Sequence, residues 1–398
     1  MDYINTTFAH GNGPYSRCVD WAVEVNNVRQ ERDLDRLPIV VPLVYPGRQE
    51  RIMKEELGED YLKDNPHEIL FDRKQGELLG KLMFKGADYA TNLRVLARDY
   101  KSIEEKTLQH LDGKRKVESF DGEVVKMDLR DCAFQLGLNN RMQTGFGNQF
   151  YTAGGAGPFD ELLERAIRDS DVKLDEEAMR GAFPIAQRMI EDQEIIFSNE
   201  PGVFSYDGAR ELEDNEVLTP PFIHIPKLDY TELPGKGIYL LMTGIDGVRE
   251  SKMYDAVAGL DMQIYAPKFS INGLPDSIKD KAIALNPNQI NNPNIVAQYA
   301  RAGWSSVWLS HMAKKGFISP AYQKADDPEM IFNERGIKAL GLGAIIEGDS
   351  TSSALSALEK SIELAEDVGG FNQSLIEKYG TIDGIKFSAE KVVDFLER

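Results

Sequence analysis

The 398-residue chain holds only two cysteines, Cys18 and Cys132, and five histidines. The thiols have no Cys-x-x-Cys spacing and no histidine cluster beside them, so neither a zinc site nor a disulfide framework is supported. Free thiols suit a reducing compartment, and a cytoplasmic location is expected. No stretch approaches about 18 consecutive apolar residues, so no membrane span is expected. The first residues lack a basic segment leading into a long apolar one, so no signal peptide is expected. Positive charge is also short: 46 Lys and Arg against 65 Asp and Glu leave a formal net charge of -19. Such a surface repels nucleic-acid phosphates and anionic headgroups. The densest basic clusters, Lys114-Arg115-Lys116 and Lys314-Lys315, are too short to reverse that field, and a nucleic-acid partner is not expected. A Gly-x-Ser-x-Gly elbow and a P-loop are missing, which speaks against hydrolase and NTPase chemistry. The pair Gly11-x-Gly13 lacks the third glycine of a dinucleotide fingerprint, so it is weak evidence for NAD.

What remains is ordinary globular composition, 42% hydrophobic and 28% charged, over a length that suggests two domains. Residues 3–9 read as a β-branched and aromatic strand, and His10-Gly11-Asn12-Gly13-Pro14 as a Gly-rich turn before a helix over 15–28. Apolar runs at 37–45, 69–71, 123–129, 143–151 and 194–198 read as further strands. Helical stretches are expected at 49–57, 74–111, 132–136 and 159–191. Residues 202–235 hold Pro220, Pro221, Pro226 and Pro234 with few periodic apolar positions, the pattern of a linker. Beyond them, strands at 237–243, 263–267, 282–285, 316–321 and 343–346 alternate with helices at 249–258, 304–313 and 328–339. Residues 295–301 fit a short helix or a strand edge, and three helices close the chain at 352–366, 372–379 and 388–397. Strands separated by helices through both halves predict an α/β protein of two Rossmann-like domains, with parallel sheets facing a central cleft. The expected division is 1–215, a linker at 216–236, 237–370, and C-terminal helices over 371–398 that cross back to the first domain.

Ligands of such sheets sit at the carboxyl ends of strands. Gly303-Trp304-Ser305-Ser306 opens an apolar helix, and its backbone N–H groups can face a phosphate, with Arg301 adding a charge-assisted contact. The same residues would also suit a plain core helix capped by Ser305 or Ser306. Gly244 and Gly247 flank a turn after a strand. Glu329 and Asn333 stand at i and i+4 on one helix face, either reaching a ligand or belonging to a solvated acidic helix start. His10 ends a buried strand at the mouth of the Gly-rich turn, where an imidazole can act as a general base or simply hold the loop. Asp128, ending another strand, is the carboxylate that would orient it. Asp33-Leu34-Asp35 and Asp169-Ser170-Asp171 lie in charged stretches and read as surface, so no metal is expected.

This layout resembles the GT-B glycosyltransferases, above all the UDP-glycosyltransferase and MurG-like superfamily. The likeness rests on the Gly-rich turn after the first strand and on the segment from Ser198-Asn199 to Phe222-Ile223-His224-Ile225-Pro226. It rests further on the strand and Gly turn over 237–247. Its most specific part is Ala302-Gly303-Trp304-Ser305-Ser306, then Gly316-Phe317-Ile318-Ser319-Pro320, Asp326-Asp327-Pro328-Glu329 to Asn333, and Gly341-Leu342-Gly343. The family's His-Gly-Gly reads Arg301-Ala302-Gly303 here. Its helix glutamate falls at Leu309, and the glutamine of its acidic motif at Met330. The resemblance implies an inverting, metal-independent and cofactor-free transfer from a nucleotide-diphosphate sugar, UDP by default, to an unknown acceptor. It implies donor contacts at Gly11, Gly13, Gly244, Arg301, Gly303, Trp304, Ser305, Ser306, Glu329 and Asn333, with His10 and Asp128 in catalysis. A nucleotide-sugar epimerase or a catalytically silent partner subunit are the alternatives, and the oligomeric state stays open.

Overall fold

The computed structural model describes residues 2–8, 12–82, 88–138, 147–153, 155, 157–191, 193–202, 212–241, 252–260, 262–322, 327–348 and 350–398. The chain forms two compact units. Unit 1 takes Met1–Glu200, Arg210–Phe222 and Asp383–Arg398; unit 2 takes Pro201–Ala209 and Ile223–Ile382.

Unit 1 is built on nine strands: β1 (Tyr3–Phe8), β2 (Ile39–Pro42), β3 (Ile69–Asp72), β4 (Lys114–Ser119), β5 (Val124–Asp128), β6 (Cys132–Leu138), β7 (Asn148–Thr152), β8 (Ile195–Asn199) and β9 (Glu216–Thr219). Their order is β5-β4-β3-β2-β1-β6-β7-β8-β9. All neighbours run parallel except β3–β4 and β4–β5, an antiparallel hairpin at one edge. The helices are α1 (Asn12–Glu31), α2 (Arg48–Leu57), α3 (Glu59–Asp64), α4 (Arg73–Leu79), α5 (Tyr89–Leu111), α6 (Phe159–Arg168) and α7 (Glu176–Glu191). Every residue of β1, β2 and β3 is buried, as strands covered on both faces must be.

Several expectations change here. Residues 132–136 form strand β6, not a helix. A short apolar run has no period of its own, and pairing with β1 and β7 decides its form. The stretch 74–111 is two helices, α4 and α5, and β4 precedes the expected β5. The presumed linker begins with a strand: β9 pairs with β8 in parallel, which places 216–222 in unit 1.

Unit 2 carries β10 (Gly237–Leu241), α8 (Lys252–Ala258), β11 (Gln263–Ala266), α9 (Lys268–Ile271), α10 (Asp276–Lys279), β12 (Ala282–Ala284), β13 (Ile295–Ala300), α11 (Trp304–Met312), β14 (Gly316–Pro320), α12 (Glu329–Leu340), β15 (Ala344–Ile346), α13 (Thr351–Glu366) and α14 (Val368–Tyr379). Its six strands are all parallel, in the order β12-β11-β10-β13-β14-β15. Residues 295–300, open between helix and strand edge in the sequence, are a central strand. One side of the sheet packs Ile238, Leu240, Ile264, Ala297, Tyr299 and Ile318 against α8 and α13.

The last helix, α15 (Gly384–Leu396), belongs to unit 1. It buries Ile385, Ala389, Val392 and Val393, and Phe395 meets Phe150 edge to face at 5.4 Å. Asp383 caps it by accepting the Lys386 N–H at 2.9 Å. Arg32, in the turn just after α1, holds the end of α15 through Asp394 (2.8 Å) and Glu397 (2.6 Å). The Gly384 N–H donates to the Pro221 carbonyl at 3.0 Å. A Cβ there would lie 2.3 Å from the Pro220 oxygen and 2.4 Å from the Pro221 oxygen, so only glycine fits.

Candidate functional site: a helix start at a strand switch point

In unit 2 the chain passes from β10 to β11 on one side and later returns to β13 on the other. The connections after β10 and β13 therefore diverge, and the carboxyl ends of these two strands frame the crevice where open parallel sheets bind ligands. From Ala300 the chain turns through 301–303 into α11. The Gly303 N–H donates to the Arg301 carbonyl at 2.7 Å. Gly303 is the N-cap, extended at φ -82° and ψ 135°, with no side-chain cap. Ser306 and Val307 N–H both donate to the Gly303 carbonyl, at 2.9 and 3.1 Å. The N–H groups of Trp304 and Ser305 are left over as the helix start leaves them, aimed outward with the positive end of the dipole. A Cβ on Gly303 would meet nothing within 4 Å. Among the described residues no packing requires glycine here; an anion approaching a helix start would meet donors of this kind.

Ser305 and Ser306 are half-buried in the first turn and do not cap it. The Trp304 side chain does not face the open end of the helix. Its ring is 2% exposed and stacks on Trp308 with centroids 5.2 Å apart. Leu309 packs against the cluster of Tyr239, Tyr265 and Ile295. Met330 is buried as well.

Glu329 opens α12, its N–H donating to Asp327 Oδ1 at 2.9 Å. Asn333, one turn on, is 0% exposed and so is not a ligand contact. Its Nδ2 donates to the Ala302 carbonyl at 2.7 Å and to Glu329 Oε1 at 3.0 Å. The i, i+4 pairing read from sequence is real, but one partner binds the other and the backbone of the α11 turn.

Sequence reasoning missed His311 in the last turn of α11. It is buried, hydrogen-bonded through Nε2 to Asn372 Oδ1 at 2.8 Å, and edge-on to Phe371 with centroids 4.9 Å apart. Burial pushes its pKa below the usual imidazole value, and the Asn372 bond opposes that only in part. Its signal in the sequence was only a histidine closing an apolar helix.

Unit 1 repeats the switch: β1 leads to β2 on one side and β6 lies on the other. The crevice is framed by Phe8 and Leu138. His10 and Gly11, and Gly244 of unit 2, lie outside the described residues. Gly13 is already inside α1, which starts at Asn12, three residues before the expected helix; Pro14 sits in the first helical turn, where a missing N–H costs nothing. Asp128 takes a place that does not suit it to orient a group after β1. It ends the edge strand β5, with β4, β3 and β2 between it and β1 in the sheet. Arg130 takes its carboxylate through Nε at 2.9 Å and Nη2 at 2.6 Å, which holds its pKa down at about 2. The next residue is fastened to the first residue of β1: the Tyr3 hydroxyl donates to the Leu129 carbonyl at 2.8 Å. The buried carboxylate at a carboxyl strand end is Asp72, also missed. Its Oδ1 accepts the Gln75 N–H at 2.9 Å, capping α4, and its Oδ2 meets His110 Nε2 at 2.7 Å. Among the described residues, no helix is long and apolar enough to cross a membrane, and no cluster of three His, Cys, Asp or Glu could hold a metal.

No protein-family model matches the sequence, and no curated protein does. Solved structures do match in shape. A UDP-glucosyltransferase from Polygonum tinctorium capable of glucosylating indoxyl is 11% identical, with TM-score 0.60 over 100% of this chain and 98% of its own. CalG4, the calicheamicin glycosyltransferase, is 13% identical, with TM-score 0.57 over 100% and 98%. A UGT transferase from Siraitia grosvenorii in complex with UDP is 11% identical, with TM-score 0.54 over 100% of both chains. At such identities the likeness speaks for architecture: two units of mostly parallel sheet, each with a switch point, in the GT-B fold of these glycosyltransferases.

Proposed function

We propose that the chain is a glycosyltransferase that takes its sugar from a UDP-sugar held by unit 2. The observation that carries this reading is the uncapped start of α11 at the β10–β13 switch point, with open space in front of Gly303. The GT-B fold, and a structural neighbour that holds UDP, support it. In this reading the Trp304 and Ser305 N–H groups and the Arg301 guanidinium meet the diphosphate, and Glu329 meets donor hydroxyls. Charge grows on the leaving phosphate as the glycosidic bond breaks, and a helix start aimed at it stabilises that charge without reorganising. His10 removes the proton of the acceptor hydroxyl as its oxygen attacks the anomeric carbon, UDP departs, and the configuration inverts. No metal takes part, since Arg301 and the helix dipole supply the positive field. The acceptor is expected at the carboxyl end of β1 in unit 1.

The test is incubation with a panel of radiolabelled UDP-sugars, first alone and then with mixed glycan and small-molecule acceptors. Transfer of label only when acceptor is present supports the reading. Conversion of the sugar without acceptor would mark an epimerase, and no turnover with tight UDP binding a silent partner subunit; either result contradicts it.

A further inference from the structure

We infer that Asn333 is a positioning residue: it sets the start of α11 against α12 and so governs affinity for the diphosphate rather than for the nucleoside. The inference rests on the reading of unit 2 as a UDP site.

Asn333 touches no solvent, so whatever it does for a ligand it does through neighbours. Both neighbours of its Nδ2, the Ala302 carbonyl and the Glu329 carboxylate, can only accept, which fixes the orientation of the amide. The first bond holds the peptide plane between Ala302 and Gly303. That plane carries the Gly303 N–H, which closes the turn onto Arg301. It is also the last plane before the N-cap, so its tilt sets the direction in which the first free donors of α11 point. The second bond holds Glu329 at the head of α12. One amide thus links the phosphate-facing turn to the carboxylate placed for donor hydroxyls.

Its other end argues that this link is what the residue is there for. Asn333 Oδ1 is buried with no hydrogen-bond partner. An apolar side chain of the same size would avoid that penalty, and would lose both donor bonds. Of the two effects, the sequence keeps the bonds.

The test is calorimetric titration of the full chain with UDP and, separately, with uridine, which lacks the phosphates. Asn333→Asp keeps the shape but turns two donors into acceptors facing a carbonyl and a carboxylate. We expect it to raise the Kd for UDP at least about tenfold and to leave that for uridine within about twofold. Asn333→Ser, too short to reach both partners and free of buried charge, should show the same pattern if the aspartate variant does not fold. Unchanged UDP affinity in a folded variant would overturn the inference. So would UDP and uridine weakening by one common factor, the mark of a general loss of structure. If the unaltered chain binds UDP no tighter than uridine, the diphosphate site itself is wrong, and that result is read before any variant is made.

Discussion

His311 is a buried imidazole held neutral, and its pH response has a fixed sign. Its folded pKa lies below the unfolded value near 6.5. Above that pH both states are neutral and the group adds no pH dependence. As the pH falls through 6.5 the unfolded chain binds a proton that the folded chain resists, and stability is lost. Comparing His311→Gln with the unaltered chain by denaturant unfolding, the stability advantage of histidine should shrink between pH 7.5 and 5.5, at up to about 1.4 kcal/mol per pH unit. An advantage independent of pH would contradict this. At the proposed catalytic position, His10→Gln should slow transfer by roughly 10²–10⁴-fold while UDP affinity holds. Asp128→Asn should leave the rate within about twofold, because Arg130 already occupies that carboxylate. A slow Asp128→Asn enzyme would return Asp128 to the mechanism.

Among the elements, α15 shows how a local rule serves the unit. Gly384→Val would drive a side chain into the Pro220 and Pro221 carbonyls and push the helix off α1. We expect a loss of about 1–3 kcal/mol, read as a lower urea midpoint for unit 1. A midpoint equal to that of the unaltered chain would mean that the helix docks by its apolar face alone.

The alternation of strand and helix was legible because it is carried by composition over windows of ten or more residues. The start of α11 was legible too, in the Gly303-Trp304-Ser305-Ser306 run before an apolar helix. Pairing partners were not. Residues 132–136 and 216–219 become strands because β1 and β8 lie beside them, and nothing within five residues encodes that. Asp128 was named because it ends a strand, but which strand lies next to β1 is a property of sheet order. Asn333 was read as a ligand contact, and the structure buries it completely, since burial is not visible in an i, i+4 spacing.

On the scale of the whole molecule, the chain completes unit 1 with its last sixteen residues, after unit 2 has been laid down. Each of Ile385, Val392 and Val393 is fully buried, and removing such a side chain from the core costs about 1.5–3 kcal/mol in transfer energy alone. Ending the chain at Ile382 should therefore cost several kcal/mol, a large part of the 5–15 kcal/mol that ordinarily separates folded from unfolded. Limited proteolysis should then cut unit 1 first and spare unit 2. Equal protection of both units would contradict the assignment of α15 to unit 1.

The central claim is that the start of α11 in unit 2 binds the diphosphate of UDP. Calorimetric titration of UDP into the unaltered chain and into Ser306→Glu tests it most directly. Ser306 is the third residue of α11, where a glutamate favours the helix and its dipole, so the fold should hold. The same carboxylate brings negative charge to the proposed phosphate position. The account predicts saturable binding to the unaltered chain and none measurable in Ser306→Glu at the same melting temperature. Equal UDP affinity in both proteins would place the nucleotide elsewhere and contradict the account.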